Sequence, residues 1–362
     1  MKDRLATIYV GITLFVSVLA VGVMLLLGKP PADDVTAQEV ANTIEQENTG
    51  HHWYVTDDAM PENSIEIVLP AEVKKPQVSV ENDYRKKELR IVISKGNSQE
   101  ESQYIFEKNY FMEHPVRTSV VFGEANLSED MDAVCISIPM ALVREVESKY
   151  EAKKAENVFW VQMVAPKDKY EKIVVLDAGH GGRDRGYTVQ GEDETELLAE
   201  SELAYDVVSR AGAILEKEGI CVYYTRGEQE NPNETDRVSL ANEVQADMFI
   251  SVHGDFAPDT ALYGMRTVYN ETYFIPAFAS ADLAYLLLEK VASSTNEKAI
   301  GFEADDGQNE LIRNAMVPVA QLNIGYLSNK QEQKLLTKDD YIQRIADGIC
   351  NAVFAGYEEI EK

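Results

Sequence analysis

Ile173-Val174-Val175-Leu176-Asp177-Ala178-Gly179-His180-Gly181-Gly182 is the stretch on which the fold turns. Its first four residues are apolar, and three of them are β-branched. A run of that length reads as a strand buried on both faces. It ends in small residues around one histidine. Downstream, residues 194–218 carry a helical pattern, with Leu203, Val207, Ala211, Ile214 and Leu215 on one face, and Gly219 stops it. Cys221-Val222-Tyr223-Tyr224 is a second strand, residues 238–244 are helical, and Met248-Phe249-Ile250-Ser251-Val252 is a third strand ending in His253. Residues 265–269 (strand), 280–293 (helix), 319–327 (strand) and 339–357 (helix) continue the alternation. This order predicts an α/β fold: βαβ units with a mostly parallel twisted sheet flanked by helices. Sites in such sheets collect at the carboxyl ends of strands. His180 and His253 both lie there.

His180 is flanked by Gly179, Gly181 and Gly182, and His253 is followed by Gly254. Glycines leave room for a ligand to approach an imidazole. A catalytic zinc takes three protein ligands, often two histidines and a carboxylate. The helix after the first strand offers Glu194, Glu196, Glu200 and Glu202. Spacing alone leaves the choice among them open. It equally leaves open that the two histidines merely cap strand ends.

Upstream, residues 61–165 read as a small β-rich domain, sandwich-like or α+β. Residues 64–69, 88–93, 133–138 and 158–164 are its strand candidates, and residues 140–153 read as a helix between the last two. Nothing there forms a catalytic cluster, and His114, before Pro115, reads as a surface loop residue. Residues 29–60 are polar and acidic and read as a spacer; His51 and His52 fall in it as solvated loop residues. Residues 5–28 are 24 positions without a charge. A helix of that length spans about 36 Å, enough for a bilayer core. Val18-Leu19-Ala20 resembles a leader cleavage site, but the apolar run continues past it to Leu27, so a retained anchor (residues 1–28) is the expectation. Lys2 and Arg4 on its N-terminal side favour a cytoplasmic N-terminus and an outer C-terminus. The remainder, residues 166–362, is the zinc-type α/β domain.

The composition sets outer bounds. The chain has 362 residues, 45% hydrophobic and 27% charged, which is a globular balance for about two domains. Its net charge of −28 argues against non-specific nucleic-acid binding, which needs clustered cations. Its three cysteines have no finger or disulfide-framework spacing.

The quoted stretch, extended to Arg183-Asp184, resembles the opening motif of the zinc-dependent N-acetylmuramoyl-L-alanine amidases of the type-3 family. The resemblance continues through Thr225-Arg226, residues 237–242, Ala246-Asp247 with the strand to His253, Met316-Val317-Pro318 and Ile324-Gly325-Tyr326-Leu327-Ser328-Asn329. It implies hydrolysis of the amide between N-acetylmuramic acid and L-alanine in peptidoglycan, outside the membrane. It also implies a zinc ion on His180, Glu200 and His253, with Glu202 and Glu196 as substitutes for Glu200. The bland reading of a solvated helix face holds for Glu192 and Glu194. Arg313 matches a family position near the site, with an ordinary surface charge as the other reading.

One position departs from the family in a way that matters chemically. Where the resemblance places the proton-transferring glutamate, two residues before Gly325, this chain has Asn323. An amide does not take up a proton near neutral pH. Asp255, Glu310 and Glu332 are the nearby carboxylates that would have to replace it. The alternative implied is an impaired amidase-like protein that binds zinc and peptidoglycan. Tyr187 and Phe256 also depart from the family, in positions that narrow the entrance or change the cleft wall.

Overall fold

The six-stranded sheet that carries the site runs in the order β13-β10-β14-β17-β15-β16. Its strands are β10 (Ile173–Ala178), β13 (Cys221–Tyr224), β14 (Met248–Asp255), β15 (Met265–Tyr269), β16 (Ala299–Ala304) and β17 (Val319–Tyr326). All pairings are parallel except β15 with β17. The computed structural model describes residues 53–95, 106–120, 124–191, 195–272 and 277–362. The expected anchor at residues 5–28 and both His51 and His52 lie outside them. Among the described residues no helix is long and apolar enough to cross a membrane.

The helices of this part are α1 (Glu200–Lys217), α2 (Glu234–Glu243), α3 (Ser280–Thr295), α4 (Glu310–Asn314), α5 (Lys330–Leu336) and α6 (Asp339–Ile360). Side-chain alternation divides the sheet into two faces. Val174, Leu176, Ile250, Val252, Leu322 and Ile324 point to one face, where α1, α3 and α6 cover them with Leu203, Val207, Leu287 and Ile349. Val175, Phe249 and Val319 point to the other, under Val238 of α2 and Leu311 of α4. Further along that second face the apolar pattern gives way. Register places Asp177 beside Ser251, Ser251 beside Gln321, and His253 beside Asn323. The site is therefore a polar row at the carboxyl ends of strands whose amino halves are packed core.

Upstream, two sheets, antiparallel throughout except for the parallel pair β1–β5, enclose a second core. One has the order β1-β5-β2-β9-β8 and the other β3-β4-β7-β6. These strands are β1 (Tyr54–Thr56), β2 (Ser64–Pro70), β3 (Val78–Asp83), β4 (Glu88–Ser94), β5 (Val116–Thr118), β6 (Asn126–Glu129), β7 (Ala133–Pro139), β8 (Glu145–Ala152) and β9 (Glu156–Val164). Ile65, Ile67 and Leu69 interdigitate with Leu89, Ile91 and Ile93 and with Val134, Ile136 and Ile138, as period-two burial requires. The module contacts the site domain on β13: Tyr224 N–H donates to Tyr84 Oη at 3.0 Å, and Tyr223 Oη donates to Glu145 at 2.6 Å.

Three expectations are corrected. Residues 140–153, read as a helix, hold strand β8, the edge partner of β9. Val146 and Tyr150 pack on the core four apart, but the intervening Glu147, Ser148 and Lys149 lie in an extended ladder, so pairing with β9 overrides local helix propensity. The helix expected from residue 194 starts at Glu200, because Glu196–Ala199 is a strand (β12) paired with Thr188–Gln190 (β11). Trp53 and Met60, expected in the spacer, are buried, and β1 between them pairs with β5.

Candidate metal centre

His180 leaves β10 in the left-handed region, at φ 58°, with Gly181 and Gly182 also at positive φ. That conformation costs a non-glycine residue about 1–3 kcal/mol and is kept only where neighbours over-determine it. Here they do. The His180 carbonyl accepts from Arg237 Nη2 at 2.7 Å, and the ring Nδ1 lies 2.8 Å from Asp184 Oδ2. This leaves Nε2 facing inward.

His253 sits near the end of β14. A Cβ on Gly179 would lie 2.2 Å from its ring, so only glycine lets the imidazole pack across β10. Glu200, the first residue of α1, is buried and fixed by two backbone donors. Its Oε2 accepts Tyr187 N–H and its Oε1 accepts Gly254 N–H, both at 3.0 Å. Oε1 also stands 3.1 Å from His180 Nε2 and 3.1 Å from His253 Nδ1. A Cβ on Gly186 would lie 2.6 Å from the Glu200 carboxylate and 2.7 Å from the His180 ring. Bare glycines thus line both sides of the cluster.

One ligand atom from each of His180, Glu200 and His253 lies within 4.8 Å of the others. Two imidazole nitrogens and one carboxylate oxygen are the donor set of a catalytic zinc with an open fourth position. The residues fit such an ion. Their electrostatics agree. His180 is pushed up to about 9, chiefly by its bond to Glu200, against burial and with help from Asp184. Burial would raise Glu200, yet the hydrogen bonds from His180 and His253 hold it well below the usual carboxylate range. The cluster favours a positive charge between its carboxylates. A cleft of about 390 Å³ opens beside it, walled by Asn231, Pro232, Asn309 and Gln321.

A buried network carries the histidine loops. Asp177 is fully buried, which would raise its carboxyl, but Arg237, Ser251 and Thr225 hold it below the ordinary value. Arg237 Nη1 reaches Asp177 at 2.7 Å and Ser251 Oγ donates to it at 2.6 Å. Arg226 donates to the carbonyls of Ala178, Gly179 and Ser201, joining the β10 end to α1.

Asn323 is 2% exposed and stands opposite His253. A chain of amides sets its orientation. Asn309, which caps α4, accepts Ile312 N–H on Oδ1 at 3.1 Å and so must donate through Nδ2, to Gln321 Oε1 at 2.7 Å. Gln321 Nε2 then donates to Asn323 Oδ1 at 2.9 Å. Among the described residues, Asn323 Nδ2 is left as a buried donor without an acceptor. The position thus offers N–H and cannot receive a proton.

The other expected residues are dispersed. Glu202 and Glu196 both pair with Arg185, away from the triad. Glu192 and Glu194 lie outside the described residues. Asp255 is paired with Arg266, the β15 neighbour of Asn323. Glu310 is exposed, 4.0 Å from Arg313. Arg313 turns back to the Gly307 carbonyl at 2.7 Å. Glu332 is buried and accepts the N–H groups of Tyr326 and Gly264 at 2.6 and 3.0 Å. Sequence reading missed Asp184 as the Nδ1 partner of His180; its position four residues on was the available signal. It also missed Gln321, whose role depends on a helix cap twelve residues away.

The fold and the donor set define a metal-hydrolase type of site. Residues 174–355 match the Amidase_3 family, N-acetylmuramoyl-L-alanine amidase, and the chain belongs to it. It is 25% identical over 183 residues to the N-acetylmuramoyl-L-alanine amidase CwlM of Mycobacterium tuberculosis, covering 50% of this chain and 44% of that protein. It is 28% identical over 204 residues to the germination-specific N-acetylmuramoyl-L-alanine amidase of Bacillus subtilis, covering 52% of this chain and 81% of the relative. Among solved structures, the catalytic domain of CwlV from Bacillus (Paenibacillus) polymyxa var. colistinus matches with 26% identity and a TM-score of 0.46, covering 52% of this chain and 98% of that one. The chain therefore spans less than half the length of the mycobacterial relative.

Proposed function

We propose that this chain hydrolyses the amide between N-acetylmuramic acid and L-alanine in peptidoglycan, using a zinc ion held by His180, Glu200 and His253. The observation that carries this reading is the convergence of those three side chains at strand ends, within 4.8 Å, beside an open cleft. When bound there, zinc polarises a carbonyl and lowers the pKa of a coordinated water toward neutrality.

The chain's own residues do the rest. Asp184 holds the His180 tautomer through Nδ1, and the N–H groups of Tyr187 and Gly254 fix the Glu200 carboxylate. Second-sphere bonds of this kind orient ligands. Asn323 stands beside His253 with its amide nitrogen buried under the cleft floor, so it supplies no proton acceptor there. In the wider organisation we propose, residues 1–28 anchor the chain, residues 29–60 bridge the gap, residues 61–165 form an accessory module, and residues 166–362 act on the outer, wall side.

A second reading is favoured by Asn323 alone: a zinc- and muropeptide-binding module with slow turnover. General acid–base assistance is worth about 10²–10⁴-fold, and the amide at this position supplies none. Zinc-loaded full-length chain incubated with purified peptidoglycan separates the two. New N-terminal alanine that disappears on chelation and returns with zinc supports hydrolysis. Release by Asn323→Glu but not by the parent supports the binding module. Release of a different amine defeats both, and no release by either protein, even with zinc bound, defeats hydrolysis.

A further inference from the structure

Tyr187 and Phe256 form an exposed aromatic pair that the metal centre does not use. Their rings stack with centroids 4.6 Å apart and planes 10° from parallel, and the residues are 47% and 46% exposed. Tyr187 is tied to Glu200, and Phe256 lies on the segment that follows His253. Tyr187 gives its N–H to Glu200 Oε2 at 3.0 Å, and its carbonyl accepts Glu200 N–H at 2.9 Å. Phe256 lies three residues past His253, where Asp255 O accepts Leu327 N–H at 2.7 Å and Ala257 N–H donates to Ser328 Oγ at 3.1 Å. Stacked on each other, the two rings leave their outer faces and edges in solvent next to the segments that carry the triad, an exposed apolar pair able to take a further flat partner.

We propose that Tyr187 and Phe256 form a stacking platform for the pyranose ring of the N-acetylmuramoyl group; this rests on the reading that the substrate is a muramoyl amide. The scissile amide of that substrate hangs from the sugar by a short lactyl arm. A carbonyl at the triad therefore brings the sugar near the segments that adjoin Glu200 and His253 and carry Tyr187 and Phe256. A pyranose has a C–H face that packs on an aromatic ring and hydroxyls around its edge that stay in water. The alanine on the other side of the amide carries only a methyl group, which does not need two rings.

The test titrates zinc-loaded full-length chain with N-acetylmuramoyl-L-alanyl-D-isoglutamine and with the sugar-free N-acetyl-L-alanyl-D-isoglutamine. Tyr187→Ala and Phe256→Ala should each weaken the sugar ligand by roughly 3- to 10-fold and leave the sugar-free dipeptide unchanged. Tyr187→Trp should keep the affinity, and its fluorescence should respond to the sugar ligand alone. Equal weakening of both ligands, or of neither, overturns the platform. Parent protein that holds zinc but binds neither ligand overturns the muramoyl-amide reading, and the platform with it. Parent protein that cleaves this amide, with KM unmoved by either alanine variant, overturns the platform alone.

Discussion

Replacing Asn323 with glutamate should raise the rate of alanine release by about 10²–10⁴-fold, which is roughly 3–5 kcal/mol of barrier. The structure indicates what the substitution meets. The position is buried, one methylene is added, and overpacking costs about 1–3 kcal/mol. Against this, Nδ2 has no acceptor among the described residues, and removing a buried unsatisfied donor recovers a similar amount. Gln321 Nε2 already points at the side-chain oxygen, so a carboxylate there keeps one donor. Arg266 on the neighbouring strand adds positive charge, although Asp255 and Glu303 share it. Those two terms nearly cancel, which leaves the desolvation of the new carboxylate only partly offset by Gln321 and the shared Arg266, so Tm should fall while kcat climbs. The assay is the initial rate of amine-labelled alanine from purified peptidoglycan, at equal zinc content. The variant's kcat should also gain an acidic limb in its pH profile that the parent lacks. A folded, zinc-loaded variant with an unchanged rate would refute the reasoning, because proton transfer would then belong to another group.

The remaining predictions concern the supports. Asp184→Asn should weaken zinc binding by about 10–100-fold without unfolding the chain, as read by competition with a fluorescent chelator. Arg237→Met leaves Asp177 buried without its ion partner and should cost about 3–5 kcal/mol in denaturant unfolding. Glu332 is pushed up to about 7 by burial, against its bonds from Tyr326 and Gly264. Its contribution to stability is then full below about 4.5 and is lost as pH rises through 7. Glu332→Gln should therefore flatten the decline in urea midpoint between pH 5 and pH 7.5.

Much of the site domain was legible because its signals are local. A short apolar run ending in Gly-His needs no distant information to read as β10, and the same holds for β14 and His253. The helix start at Glu200 was harder. Residues 196–199 carry helix-compatible side chains, and only pairing with Thr188–Gln190 extends them. Strand β8 hid for a similar reason: an edge strand carries charges on its open side, and its pattern is set by β9. Strand β16, Ala299–Ala304, went unread because its ladder partner β15 lies more than thirty residues away and it buries little. The polarity of Asn323 illustrates the limit best. Its identity could be read directly, but the direction of its amide follows from the cap on α4 and the register of β17.

The metal centre underlies every functional statement made of this chain, and zinc K-edge absorption on the loaded protein tests it most directly. The account predicts one zinc per chain with two imidazole nitrogens at about 2.0–2.1 Å and oxygen at about 2.0–2.2 Å, and no sulfur near 2.3 Å. Binding should fall away in His180→Ala and His253→Ala. A sulfur shell, an all-oxygen shell, or full zinc occupancy in those variants would contradict it.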